Sequence, residues 1–221
     1  MNNLSLPYNT DFEFKKMPTY KLYYFQGRGR AELIRWIFIQ AGVPYEDIRF
    51  TQEEWATFKP KTPYGGLPSL EIDGKMFGGS APIERYIAEQ YGLAGSNELE
   101  NFELNTIFDV TQDLLLRVVL HHFEKEEKRK ADLKKELEET HLPKYLEVLN
   151  KRITDNGAAD GWIYGKNVTY VDLRIAQLAD LILLASPNAL DAYPAVAKLK
   201  AAVEALPNIA KWIKERPQSE F

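Results

Sequence analysis

Cysteine is absent from the 221 residues, which excludes disulfides, thiolate metal sites and any mechanism in which the protein supplies a thiol nucleophile. If thiol chemistry occurs, the thiol arrives with a ligand. Long apolar runs are lacking too. None exceeds the five residues from Leu181 to Ala185, far short of the ~20 needed to span a bilayer or of a signal-peptide core, so a soluble, cytoplasmic chain with no membrane partner is expected. A basic excess is also missing. The 28 Lys and Arg against 32 Asp and Glu leave a net charge of −4, and neutralising nucleic-acid phosphates needs a basic surface. A small anionic ligand stays open. What is present, 45% apolar and 27% charged residues, is the composition of an ordinary globular protein able to bury a sizeable core in one or two domains.

Residues 1–17 carry no helical or strand period and read as an appended, mobile tail. From Tyr20 to Phe25 the pattern is a buried strand. Gly27 and Gly29 then mark a turn, and apolar residues at helical spacing follow from Ala31 to Ala41. A second extended run, Tyr45 to Phe50, completes a β-α-β unit of the length a right-handed parallel crossover requires. Pro68 to Ile72, the Asp73-Gly74 turn and Lys75 to Phe77 predict an antiparallel hairpin. A helix with Ser80 as its N-cap is expected to stop at Gly92. Beyond Gly95 the strand signals end, and helical periods occupy about 98–124, 130–155, 170–185 and 191–204, with Pro207 opening a last short helix. Thr169 and Asp172 fit a capping box in its acidic form, and the helix they open is apolar nearly all round, which places it at the centre of the helical part. The expected architecture is an α/β domain over 18–95 and an all-α domain over 96–221.

Several side chains in this frame carry chemistry. Tyr24 ends the first strand just before the glycine turn, where its phenol can point into a cleft; a plain core tyrosine is the alternative. Arg28 and Arg30 sit at a helix start, which disfavours cations and calls for a compensating negative group. Trp55 and Lys59 stand one helical turn apart, so an indole N–H and an ammonium can face one carboxylate. Leu67-Pro68 precedes a strand placed inside the sheet. A cis bond there leaves the backbone N–H and C=O of Leu67 open to a ligand's own peptide group; an ordinary turn proline is the plainer alternative. Ser80 can offer its hydroxyl, its amide and the helix dipole to an anion, or serve only as a cap. The adjacent His121 and His122 lie about 100° apart on a helix and cannot chelate one metal as an i,i+4 pair would, so they read as surface or interface residues. The mixed charges from Glu124 to Lys130 read as a solvated face.

Together Tyr24, Arg30, Trp55, Lys59, Leu67-Pro68 and Ser80 resemble the glutathione-binding set of the sigma-class glutathione transferases. The likeness runs from about Met17 to Phe221. It includes Met17 through Phe25, Arg28-Gly29-Arg30-Ala31-Glu32, Leu67 through Gly74, Asn167 through Asp172 and Ile213 through Pro217. The resemblance implies a thioredoxin-like N-terminal domain, a helical C-terminal domain, a homodimer, and conjugation of the glutathione thiolate to hydrophobic electrophiles, with peroxidase or prostaglandin isomerase activity on the side. It gives Tyr24 the sulfur of glutathione and Arg30 a supporting role. Trp55 and Lys59 match the residues that hold the glycyl carboxylate, Leu67 before Pro68 the backbone pair for the cysteinyl unit, and Ser80 the γ-glutamyl carboxylate. Asp113 matches the residue that reaches the γ-glutamyl amine of the partner subunit. The apolar wall for the electrophile is placed on Phe25, Leu116, Leu120 and Phe221.

The chain departs from the family pattern at three points. Gly66 and Gly79 stand where polar side chains are usual, and Pro82 where alanine is. At ~1 kcal/mol for each lost hydrogen bond, the two glycines weaken glutathione by roughly 30-fold. The acidic trio tied to divalent metals in prostaglandin-isomerising members is here Asp109, Gln112 and Asp113, so no metal site is expected. A weakly active carrier of hydrophobic ligands, or a lens-type structural protein, is the competing reading.

Overall fold

The computed structural model describes residues 17–157, 161–219 and 221; apart from Met17, the expected tail lies outside them. The order is β1 (Tyr20–Phe25), α1 (Glu32–Ala41), β2 (Glu46–Phe50), α2 (Gln52–Phe58), β3 (Ser69–Ile72), β4 (Lys75–Gly78) and α3 (Ser80–Gln90). The helices α4 (Glu98–Phe123), α5 (Glu127–Glu136), α6 (Leu142–Asn156), α7 (Tyr170–Ala185), α8 (Pro194–Glu204) and α9 (Pro207–Glu215) complete it. The sheet runs β2-β1-β3-β4, with β1 parallel to β2 and the other pairs antiparallel.

Strand alternation splits β1 between two faces. Tyr20 and Leu22 face the core with α1, the Tyr20 ring lying 5.1 Å from Phe38 and its hydroxyl 2.8 Å from that of Tyr91. Tyr23 faces the other way, stacked at 4.9 Å on Phe58 of α2 and donating to Glu71 at 3.0 Å. The sequence reading assigns no element to α2. Its signal is Thr51-Gln-Glu-Glu54, a capping box in which Glu54 accepts the Thr51 amide at 2.8 Å.

Three expectations change. The helix expected over 130–155 is α5 and α6 joined by a π-helical turn at Leu137–His141. Pro143 has no amide to give the carbonyl four residues back, so the ladder widens there. Ser80 is the first residue inside α3 rather than its N-cap, which is Gly79. His121 is buried rather than superficial, 8% exposed.

Helices α1 and α7 are buried along most of their length, to Phe38 and to Ile182, and pack on one another, joining the α/β and helical parts. Asp172 opens α7, accepting the amides of Thr169 and Ile163 at 2.7 Å each. Two buried ion pairs cross this junction region. Glu84 of α3 accepts Arg174 of α7 at 2.7 Å on both oxygens, with both side chains 0% exposed. Glu32 of α1 accepts Trp36 at 3.0 Å, Trp212 at 2.9 Å, Arg216 at 2.8 Å and Arg35 at 3.1 Å.

Burial works against the Glu32 charge, but Arg35, Arg216 and the Trp212 indole hold its carboxyl below the usual range. Its stabilising effect is therefore complete above about pH 4.5, the ordinary Glu value, and is lost as pH falls through the lower, folded-state value. Glu32→Gln is expected to destabilise the fold by about 2 kcal/mol or more at pH 7, with the gap to wild type closing as pH falls below ~4. Urea titrations at several pH values measure it, and a gap that stays constant down to the acid limb contradicts the assignment.

Candidate active site

The strand register brings distant residues to one end of the sheet. Phe25 pairs with Phe50 at the carboxyl ends of β1 and β2, while Tyr23 pairs with Ser69 and Ser69 with Gly78. The start of β3 and the end of β4 therefore lie at that same end. Tyr24 and the glycine turn, α2 with Trp55, the Leu67-Pro68 bond and Gly79-Ser80 all leave from it.

Tyr24 is half-buried, and its hydroxyl accepts the backbone N–H of Arg30 at 3.1 Å. That contact depends on Gly29, whose φ is +39° and whose added Cβ would fall 2.5 Å from the Tyr24 oxygen. Arg30 thus meets the phenol through its amide. The Arg35 guanidinium lies 5.9 Å from the Tyr24 ring centre and donates to the carbonyl of Gly27 at 3.1 Å, bracing the turn. Burial pushes the phenol pKa up, against the opposing pull of the Arg30 amide and of the Arg30 and Arg35 charges. The group stays protonated at neutral pH. With one lone pair taken by an amide, its O–H is oriented to donate outward.

Around it, Trp55 is half-buried and edge-on to Phe25 at 5.9 Å, and the Phe25 ring is 5.6 Å from Tyr24. Lys59 follows one turn later, exposed, its own amide bonding the Trp55 carbonyl. The Leu67-Pro68 bond is cis, and the Pro68 carbonyl accepts the amide of Gly79 at 3.3 Å. Ser80 is buried, 6% exposed. A Cβ at Gly66 would meet nothing closer than 4.0 Å, whereas one at Gly79, where φ is +94°, would lie 3.1 Å from Pro82. Gly79 and Pro82 therefore fit each other.

The remaining candidates are spread more widely. Phe221 reaches the glycine turn, its carbonyl accepting the Arg28 amide at 2.8 Å and its ring stacked at 3.9 Å on His122. Arg28 finds its negative partner in Asp180, at 2.5 Å. Asp113, Leu116 and Leu120 lie on an exposed side of α4, and among the described residues no hydrogen bond joins Asp113 to the sheet-end group. Asp109 pairs with Arg85, and Gln112 donates to Glu84 at 3.4 Å. Sequence reading gives Gly29 as a turn residue without its contact to Tyr24, and gives no role to Glu32 or Arg35, whose signal is a pair of charges inside an otherwise apolar helix.

A thioredoxin-like sheet end with a phenol, an indole and a cis-proline loop, joined to a helical bundle, defines a thiol-handling enzyme class. Residues 22–97 match the glutathione S-transferase N-terminal domain and residues 112–216 the C-terminal domain. The chain is 40% identical over 213 residues to glutathione S-transferase 1 of Ascaris suum, covering 93% of this chain and 100% of that one. It is 35% identical over 205 residues to the hematopoietic prostaglandin D synthase of Mus musculus, covering 93% and 100%. The glutathione S-transferase structure from Ascaris lumbricoides superposes with a TM-score of 0.85 at 39% identity, covering 92% and 100%. The chain belongs to the glutathione S-transferase family, enzymes with glutathione as co-substrate.

Gly29→Ala is expected to displace the Tyr24 phenol from the Arg30 amide and lower turnover of glutathione with a chromogenic aryl halide at least tenfold. Steady-state kinetics on the purified variant check this, with circular dichroism to show that the fold is kept. Unchanged turnover would show that the close approach of Gly29 is not needed.

Proposed function

We propose that this enzyme conjugates glutathione to hydrophobic electrophiles, with Tyr24 donating a hydrogen bond to the reacting sulfur. The observation that carries this reading is the Tyr24 hydroxyl, protonated, held from behind by the Arg30 amide at 3.1 Å and placed at the end of the sheet. A thiol of pKa ~8.5 is only a few per cent ionised at pH 7, and lowering it by ~2 units takes ~2.7 kcal/mol of thiolate stabilisation. A hydrogen bond to sulfur in a partly dry cleft, with Arg30 and Arg35 nearby, supplies a fair part of that. The sulfur lone pair then forms the new bond to the electrophile, the leaving group departs with its electron pair, and the thiol proton goes to solvent.

In the same reading Trp55 and Lys59 take the glycyl carboxylate, the backbone of Leu67 before Pro68 pairs with the cysteinyl unit, and buried Ser80 takes the γ-glutamyl carboxylate. Gly66 and Gly79 contribute backbone only. Phe25, Leu116, Leu120 and Phe221 form the apolar wall. The relative named for prostaglandin D synthesis supports isomerisation of such a lipid as a side activity. Peroxide reduction is a second. The chain works as two domains divided near residue 95, in the cytoplasm; no helix among the described residues is long and apolar enough to cross a membrane. It pairs with a second copy through α4, where Leu99 and Phe102 are 70% and 68% exposed, and Asp113 serves the partner's cleft. A carrier with little turnover is the second reading, favoured by the bare Gly66 and the matched Gly79 and Pro82.

Retention on immobilised glutathione with release by free glutathione, followed by turnover of an aryl halide, separates enzyme from carrier. Tyr24→Phe keeps the ring and is expected to lower turnover at neutral pH at least tenfold, while Tyr23→Phe, on the other face, changes it less than twofold. Equal losses in the two variants would remove Tyr24 from the mechanism. Sedimentation is expected to give a dimer at micromolar concentration; a fully active monomer of 25.4 kDa contradicts the shared cleft.

A further inference from the structure

The first turn of α3 has few local ties. Its N-cap, Gly79, makes no side-chain hydrogen bond, the turn has no acidic residue to meet the helix dipole, and Pro82 leaves it one amide short. On the backbone it is tied through Gly79, whose amide donates to the Pro68 carbonyl at 3.3 Å. One turn further along, the ties are of another kind. Ser80 and Glu84 stand at i and i+4 on the same buried face, 6% and 0% exposed. Side chains on a helix lean toward its N-terminus, so Glu84 leans back toward the turn that carries Ser80. Both of its oxygens accept Nη2 of Arg174 on α7 at 2.7 Å, and Oε2 also accepts Gln112 of α4 at 3.4 Å. Arg174 is fixed in turn, with Nη1 donating to Gln177 at 2.9 Å and the guanidinium 5.4 Å from the Phe108 ring centre. One carboxylate thus joins α3 to both α4 and α7.

Stability alone does not account for such a pair. Taking two charges out of water is costly, and apolar residues of similar volume commonly give a fold at least as stable. What an apolar contact lacks is direction. It lets a helix slide or turn by a fraction of a residue at little cost, whereas a buried carboxylate held on both oxygens by a guanidinium has one position. A displacement of α3 at Glu84 is passed along one turn of backbone to Ser80.

We propose that Glu84, clamped by Arg174 and Gln112, is a positioning residue for glutathione, holding the first turn of α3 where Ser80 meets the γ-glutamyl carboxylate. This rests on the reading of Ser80 as the group that takes that carboxylate. The Tyr24 hydroxyl takes its own orientation from the Arg30 amide, so the clamp acts on the affinity for glutathione and not on the chemical step.

Glu84→Gln alone would leave the Arg174 charge buried without its partner, so the test uses Glu84→Leu/Arg174→Met, which removes both charges and is expected to melt within about 5 °C of the wild type. It is made in the full chain, with and without Ser80→Ala, and read by calorimetry with S-hexylglutathione and by steady-state kinetics with a chromogenic aryl halide. The paired change is expected to weaken S-hexylglutathione and to raise KM for glutathione about tenfold, with kcat at saturating glutathione within about twofold of wild type. Ser80→Ala is expected to lose about tenfold or more by itself, and the paired change to add less than about twofold to that, since both act through one contact. Wild-type affinity in the paired variant overturns the proposal alone. A fall in kcat as large as the rise in KM, a full further loss on top of Ser80→Ala, or a paired variant that does not fold also overturns it, because each makes the pair a general support of the structure. Undiminished affinity in Ser80→Ala overturns the reading of Ser80 and the proposal with it.

Discussion

The buried Glu32–Arg35 pair on α1 is the interaction on which the rest of the structure hangs. Two ionised groups at 1% and 0% side-chain exposure are costly to desolvate, and they are tolerated only where every charge is met by well-placed partners. Glu32 has two indoles and two guanidiniums, and Arg35 reaches Glu32, Asp47 and the Gly27 carbonyl. One end of this cluster fixes α9 against α1 through Trp212 and Arg216. The other fixes the glycine turn that carries the Arg30 amide to Tyr24. Domain orientation and the position of the phenol are therefore set by the same few hydrogen bonds, and a loss in stability and a loss in catalysis are expected to travel together in variants of this cluster.

The proposed glutathione end of the cleft combines retained and altered parts. Tyr24, Trp55, Lys59, the cis Leu67-Pro68 bond and Ser80 occupy one end of the sheet, whereas Gly66 offers no side chain. At Gly79 the positive φ and the 3.1 Å approach to Pro82 make glycine the residue that the local backbone accepts without strain. The lost polar group at 79 and the proline at 82 are thus one change rather than two, a local repacking of the first turn of α3 around a shorter residue. In the proposed reading such a site retains its reaction centre while gripping the γ-glutamyl end less firmly.

Most of this was legible in the residues because the strongest signals are local. The alternation in β1, the Asp73-Gly74 turn, the Thr169–Asp172 box and the glycine stops each follow from short-range sterics and hydrogen bonding. The site set was legible only through resemblance. Nothing in the spacing of Tyr24, Trp55, Leu67 and Ser80 says that a β2-β1-β3-β4 order brings them to one sheet end. Charged positions were the least legible. Glu32, Arg35, Glu84 and Arg174 have the polarity of surface residues and are buried because Glu32, Glu84 and Arg174 find partners across the domain junction and Arg35 finds its own in Glu32, Asp47 and the glycine turn, long-range facts. The burial of His121 escaped for the same reason, since it depends on how α5 packs against α4.

The central claim is that Tyr24 stabilises the thiolate of bound glutathione, and its most direct measurement is a pH titration of thiolate absorbance in the glutathione complex of wild type and Tyr24→Phe. The account predicts that the bound thiol ionises ~1–2 units higher in the variant than in wild type, with glutathione still bound. An unchanged thiol pKa in Tyr24→Phe would contradict it.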